Sequence, residues 1–558
     1  MAEQAERLNP GGAGSPDPIH PPEGMPDAHH IDGLLPRRAV AAVPALTTAE
    51  DEHGRSTTMR GVPTARRPAE TGPRDVEVSR PRLGSTADAG AAHPGRGRAS
   101  DGHGRSAARP DVGPQGFGLP TATALVVGSV IGTGVFALPS ALGAFGPVSL
   151  VAFGLVTVGA IALALTFRSL TGRLPDSGGP YVYARAAFGD FAGFLNAWSY
   201  WITAWAGNAA IVVAWVGYVE VFWNTGHQRS WSIVIALAGL WLPALVNLAG
   251  VRSIAWFQVA TTVVKFVPLL VVATVGLFSI RSANFGDFNA TGGSVLSAIS
   301  AAGAIALFSY LGIETASVAA GRVRSPERNV GLATVLGTLA CAVVYILGTL
   351  AVFGTVPHER LLETTAPFTD SATAIFGGEW AGQVVAVAAI VSGFGALVGW
   401  TLIVAEMPRA AARDGLFPAP FARQSRTGVP AFGIITSTAL ASVLTTVSYT
   451  SFEKVFTTIV LLSVLTSVVP YLFSAAAQSY WLLLRPRAVR GGRLLRELTV
   501  AAAALVFSFW ALAGSGYQAV YYGAFCILLG VPVYAWMTSA HAEHDRNGTS
   551  PQATGGGR

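Results

Sequence analysis

Two polar interruptions inside apolar stretches carry the residues that could do chemistry. The first is Gly128-Ser129-Val130-Ile131-Gly132-Thr133-Gly134-Val135-Phe136, set within the apolar run from Leu119 to Leu142. The second is Phe308-Ser309-Tyr310-Leu311-Gly312-Ile313-Glu314-Thr315, within the run from Val295 to Ala320. Each run is long enough to cross a bilayer, which takes about 20 helical residues. Glycine costs a helix interior about 1 kcal/mol. Lipid offers no water to a loosened backbone, so such a break survives only against protein or a water-filled cavity. Helix ends exposed at a break present N–H groups that attract a carboxylate and carbonyls that attract an ammonium. An α-amino acid carries both groups on one carbon, so the paired breaks predict a site for a small zwitterion.

The elements that must position these stretches follow from composition. The 558 residues are 51% hydrophobic and 12% charged, with a mean hydropathy of +0.47. These values fit an all-α polytopic membrane protein rather than a soluble enzyme. Twelve apolar segments of membrane-crossing length are expected, near 119–141, 147–170, 192–222, 231–249, 254–279, 294–320, 330–354, 381–408, 430–448, 454–480, 498–514 and 519–539. The breaks fall in the first and sixth, the leading members of two five-helix halves. Gly-interrupted segments at corresponding places in two halves point to the midplane site of a secondary transporter built from inverted repeats.

With a cytoplasmic N-terminus, the inside loops hold sixteen arginines, against three arginines and Lys454 outside. That bias predicts both termini on the cytoplasmic side of the cell membrane. Residues 1–116 are rich in Pro, Gly, Ala, Arg and Asp without sustained periodicity, and are expected to form a disordered cytoplasmic tail. The tail has no apolar core of a secretory signal, and Met25 and Met59 offer later starts in the same frame. Residues 117–540 are read as the transmembrane domain and 541–558 as a short cytoplasmic tail.

Several classes find no support. Cys341 and Cys526 lie in apolar spans without metal or redox spacing, which suits packing. Residues 1–117 hold 14 arginines and 15 acidic residues, so the basic excess belongs to the membrane part and suits cytoplasmic loops, not nucleic acid. Gly132-Thr133-Gly134 lacks the third glycine and the strand of a dinucleotide fingerprint, and there is no Walker sequence. Six of the ten histidines fall in the tail and none in an expected span. No catalytic residue, metal or cofactor is expected; Glu220 and Glu406 read as interfacial. A channel would show polar rings or a filter.

Single residues within the spans allow two readings each. An ionised Glu314 at mid-helix costs about 2.5–3.5 kcal/mol on insertion scales; it either pins unwound backbone or works a gate. Thr133 binds ligand or bonds back to its own helix. Asn208, after Gly207, is an interhelical hydrogen bond worth about 1 kcal/mol or a pocket wall. Phe308 and Trp400 are plain packing or ligand contacts. Lys265 is one of only two lysines beside 35 arginines. It lies roughly 16 Å along its helix from Ile254, beyond the reach of a snorkelling side chain, and should face the bundle. Lysine can shed its proton when buried whereas arginine cannot, so Lys265 is either a proton-coupling group or a cation tied to backbone carbonyls.

Four separated motifs carry a family resemblance: Gly132-Thr133-Gly134-Val135-Phe136, Ser177-Gly178-Gly179-Pro180-Tyr181, Gly312-Ile313-Glu314 and Arg413-Asp414-Gly415-Leu416-Phe417-Pro418. Over roughly residues 117–540 the chain resembles the amino acid–polyamine–organocation permeases. Tyr200-Trp201 with Gly207-Asn208, Ala316-Ser317-Val318-Ala319-Ala320-Gly321 and Gly399-Trp400-Thr401-Leu402 are most similar to the bacterial arginine/agmatine antiporters.

The resemblance implies a LeuT-like fold of twelve transmembrane helices, a 5+5 inverted repeat with broken helices 1 and 6, and a homodimer. It implies alternating-access antiport of a basic amino acid or polyamine. The substrate site includes Ser129, and Thr133 and Gly134 of the first break receive the carboxylate. Carbonyls around Val130, Phe308 and Leu311 receive the ammonium. Asn208 forms a wall, Phe308 a lid and Trp400 a stacking platform for the distal group. Tyr200 and Glu314 couple binding to gate closure. Two departures stand out. Lys265 has counterparts in some proton-coupled permeases but generally not in these antiporters, and Leu461 replaces an expected hydroxyl. They keep proton symport of neutral or cationic amino acids open as an alternative, beside a non-transporting sensor.

Overall fold

A backbone in lipid has no hydrogen-bond partner except itself, and these apolar runs accordingly close into helices, with no strand among the described residues. The computed structural model describes residues 118–548 except 133, 177, 251–253, 452–453 and 485–490. Thr133 and the expected 1–116 tail lie outside the described residues.

In chain order the helices are α1 (Leu119–Val130), α2 (Gly134–Gly143), α3 (Val148–Thr171), α4 (Pro180–Phe188), α5 (Asp190–Val219), α6 (Arg229–Leu248), α7 (Ile254–Val275), α8 (Val295–Leu307) and α9 (Thr315–Val318). They continue with α10 (Pro326–Thr355), α11 (His358–Glu363), α12 (Pro367–Phe376), α13 (Glu379–Arg413), α14 (Ala431–Ser451), α15 (Val455–Leu484), α16 (Gly492–Gly514), α17 (Tyr517–Leu528) and α18 (Gly530–Gly548). Among the described residues ten helices are long and apolar enough to cross a membrane, α1 and α2 qualify together as a pair bent by 43°, and Val295–Tyr310 is a shorter apolar helix. The protein is therefore a multi-pass membrane protein. The bounds of the ten long helices fall within several residues of expected segments, whereas the expected sixth segment, 294–320, holds only the shorter apolar helix Val295–Tyr310 and the short α9.

The core is centred on α5, the most buried span at 78% of its apolar window, which packs on α13 and α15. The pair α1 and α2 is enclosed by α5, α7 and α10.

Sequence reading left 171–191 and 355–378 as loops, yet they hold α4, α11 and α12, because helices this short carry no membrane-length apolar signal. The turn into α4 depends on glycine. Gly178 has φ +123° and Gly179 φ +56°, ψ −123°, a region L-residues avoid. Pro180 then supplies the first helical position, where its missing N–H costs nothing. A methyl on Gly179 would sit 2.7 Å from Ser317 Oγ. Gly179→Ala is expected to destabilise the protein by about 1–3 kcal/mol, read as a lower melting temperature in detergent; an unchanged melt would contradict the strain argument.

Candidate functional site

Both breaks arise where the helical ladder fails. At the first, the Gly132 N–H turns to Val130 O (2.9 Å) instead of continuing to Gly128 O. The last-turn carbonyls of α1 are instead capped by distant side chains. Lys265 Nζ donates to Gly128 O at 2.6 Å, and Trp400 Nε1 donates to Ser129 O at 2.9 Å.

At the second break α8 passes through a single tight turn, Phe308–Tyr310, into extended Leu311 and then Gly312 at φ +106°. Here too glycine is required by contact as well as by φ: an added methyl would lie 3.1 Å from the Ser129 carbonyl and 3.1 Å from the Trp400 ring. The two breaks therefore abut at Gly312 and Ser129, with Trp400 closing the junction.

A small cavity lies at this junction. The first break lines it with Ser129, Val130, Gly132, Gly134 and Val135, the second with Phe308 and Leu311, and α13 with Trp400. The Phe308 ring lies flush on Gly134, where a Cβ would come within 2.4 Å of Cε1, and its far side meets Phe456 edge-on at 6.1 Å. Ser129 Oγ is buried without a protein partner among the described residues. Val130 O and Phe308 O each accept one backbone N–H, and each keeps a second lone pair. No acidic side chain lines the cavity among the described residues, so any cation there meets carbonyl oxygens and the Trp400 indole.

The remaining expected residues sit around the cavity rather than in it. Asn208, whose Oδ1 has no partner among the described residues, neighbours the residues that α5 presents to the cavity, Thr203, Gly207 and Ile211. Their spacing of four puts them on one helix face, the signal that sequence reading passed over in favour of the polar neighbour. Lys265 is fully buried, as its place in the span predicts, and contacts the break through Gly128. Leu461 packs against the core and is not among the cavity residues.

Glu314 is buried and centres a separate polar layer. It accepts from the Gly312 N–H at 3.3 Å and from Tyr471 Oη at 3.1 Å. Tyr200, also buried, lies beside the same carboxylate; its hydroxyl forms no hydrogen bond of good geometry among the described residues. Tyr471 is the member of this layer that sequence did not single out, because it lies 157 residues away on α15.

Beyond this layer the second break is tied to α4. The Gly178 N–H donates to Val318 O at 3.2 Å, and Tyr181 on α4 donates to Asp414 after α13. Arg185 bridges Asp414 and Asp190, each at 2.8 Å. Burial, and then the adjacent Asp414 carboxylate, pushes the Tyr181 phenol up, so it remains a proton donor throughout the physiological range.

Residues 117–522 match the amino acid permease family. The chain is 30% identical over 424 residues to the putrescine transporter PotE of Haemophilus influenzae, an alignment covering 76% of this chain and 97% of that protein. It is 31% identical over 437 residues to the arginine/ornithine antiporter of Pseudomonas aeruginosa, covering 75% and 90%. With the arginine/agmatine antiporter of Chlamydia pneumoniae it shares 29% over 427 residues, covering 74% and 87%.

Proposed function

Because the chain belongs to the amino acid permease family and is a membrane transport protein rather than an enzyme, we propose that it exchanges basic amino acids and polyamines across the cell membrane by alternating access. The observation that carries this reading is the abutment of the two breaks around one cavity, which brings helix-end amides, free carbonyl lone pairs and the faces of Phe308 and Trp400 together. Relatives named for putrescine, arginine, ornithine and agmatine support a cationic substrate.

In this reading Ser129, Thr133 and Gly134 receive a carboxylate, the carbonyls near Val130, Phe308 and Leu311 receive an ammonium, and Asn208 supports the wall. Glu314 with Tyr200 forms the gate. The architecture we assign is twelve spans in a LeuT-like 5+5 inverted repeat, with α1 and α2 as span one and the segment from α8 through α9 as span six. The tails 1–116 and 541–558 then lie in the cytoplasm, and the assembly is a homodimer.

Uptake of radiolabelled arginine into proteoliposomes, empty or preloaded with arginine or agmatine, tests the proposal. Uptake confined to preloaded vesicles is expected. Absence of uptake with arginine, ornithine and putrescine alike would overturn it and leave neutral amino acids, for which Leu461 in place of a hydroxyl argues. Removal of residues 1–110 is expected to leave exchange unchanged; binding without transport in both forms would favour a sensor.

Trp400 gives a sharper test of the substrate class. A desolvated cation–π contact is worth about 2 kcal/mol. Trp400→Leu is therefore expected to weaken arginine binding roughly tenfold or more and neutral amino acids much less, measured by competition against one labelled ligand. Equal losses would remove the indole from cation recognition. A second reading, proton-coupled symport, is favoured by the buried contact of Lys265 with Gly128 O at the first break.

A further inference from the structure

One face of α5 runs from the cavity toward α4 through Thr203, Ser199 with Tyr200, and Asn196, residues three to four apart that stack along one helical stripe. The polar groups on this face are satisfied in two cases. Ser199 Oγ donates to Thr466 O at 2.7 Å, and Thr203 exchanges a hydrogen bond with Thr466 Oγ1 at 2.9 Å. Asn196 is different. It is fully buried, and neither its Oδ1 nor its Nδ2 has a hydrogen-bond partner among the described residues.

A carboxamide buried with both ends unpaired is costly, and an apolar side chain would fill the same space without that cost. Such groups are rare in folded proteins and call for a use. Asn196 lies seven residues before Thr203, roughly 10 Å along the helix from the cavity. It also lies one turn before Tyr200, the residue beside the Glu314 carboxylate, on the side away from Thr203. Its carboxamide offers one acceptor for an ammonium or guanidinium and one donor pair for a carboxylate, and being neutral it is buried without the penalty of a buried charge.

We propose that Asn196 is a second, transient substrate site on the cytoplasmic exit route, where its carboxamide replaces water around the ammonium or guanidinium of a substrate that has passed the Glu314 layer. This rests on the transport reading and on the orientation given above.

The experiment compares wild type, Asn196→Leu and Asn196→Gln for equilibrium arginine binding and for arginine/agmatine exchange in proteoliposomes. Asn196→Cys is treated from the cytoplasmic face with 2-aminoethyl methanethiosulfonate, the adduct located by peptide mass against the wild-type baseline of Cys341 and Cys526. Asn196→Leu is expected to bind within about twofold of wild type while exchanging about tenfold more slowly. Asn196→Gln should recover part of the rate, and Asn196→Cys should be labelled during exchange. A wild-type rate in Asn196→Leu, or no labelling of Asn196→Cys while it exchanges substrate, would overturn the inference. Loss of arginine binding in Asn196→Leu would overturn it too, by placing the residue in the central site or the folding core. A wild type inert in exchange would instead sink the transport reading itself.

Discussion

Glu314→Ala is expected to slow exchange about a hundredfold while leaving equilibrium substrate affinity within a few-fold of wild type. The carboxylate does not line the cavity, so its loss removes no direct ligand contact. It holds the Gly312 N–H and Tyr471 Oη, with Tyr200 alongside. These join the second break to α15 and α5, the elements that part in the proposed gate. A buried hydrogen bond to a charged group contributes about 1.5–3 kcal/mol, and two decades of rate correspond to about 2.7 kcal/mol. One or two such bonds, made in one state and remade in another, therefore account for the expected size. Glu314→Gln keeps an acceptor oxygen and should fall between. The check is turnover in proteoliposomes set against binding in detergent, with the melting temperature of each variant recorded. Equal losses of affinity and turnover would mean that Glu314 serves the substrate site, not the gate.

What sequence could and could not reveal follows from the range of each interaction. The breaks were legible because glycines and a carboxylate interrupt runs that lipid requires to be apolar, a local conflict visible without a partner. Lys265 was legible as a buried group for the same reason, since its depth in the span follows from counting residues. Its target was not, because Gly128 is 137 positions away. The same holds for Tyr471 on Glu314 and for the pairing of Tyr181 with Asp414. At the α5 wall polarity alone points to Asn208, whereas the residues that line the cavity, Thr203, Gly207 and Ile211, are marked by their spacing. An apolar and glycine-containing face can line a site that backbone carbonyls make polar. The short α4 escaped for want of apolar periodicity, although Gly178-Gly179-Pro180 marked its start.

Lys265→Ala is expected to abolish any stimulation of uptake by an inward proton gradient. The ammonium is fully buried and donates to Gly128 O at 2.6 Å, and no described carboxylate forms an ion pair with it. The proton on Lys265 therefore bears directly on the last turn of α1, beside the Ser129 carbonyl that Trp400 caps. Protonation strengthens the bond to Gly128 and deprotonation weakens it, so a substrate that alters the first break alters the affinity for the proton, and by linkage the proton alters the affinity for the substrate. A symporter moving one proton per substrate should accumulate substrate about tenfold for each pH unit of gradient, because one unit is worth ~1.4 kcal/mol. Lys265→Ala should show no such accumulation. Lys265→Arg, whose charge is permanent, should keep the contact and still lose the gradient response, which separates coupling from packing. Gradient-driven accumulation that survives in both variants would exclude Lys265 as the coupling group. A wild type that takes up substrate only by exchange, unaffected by the gradient, would leave the lysine as a cap on α1, holding open the break on which the substrate site is built.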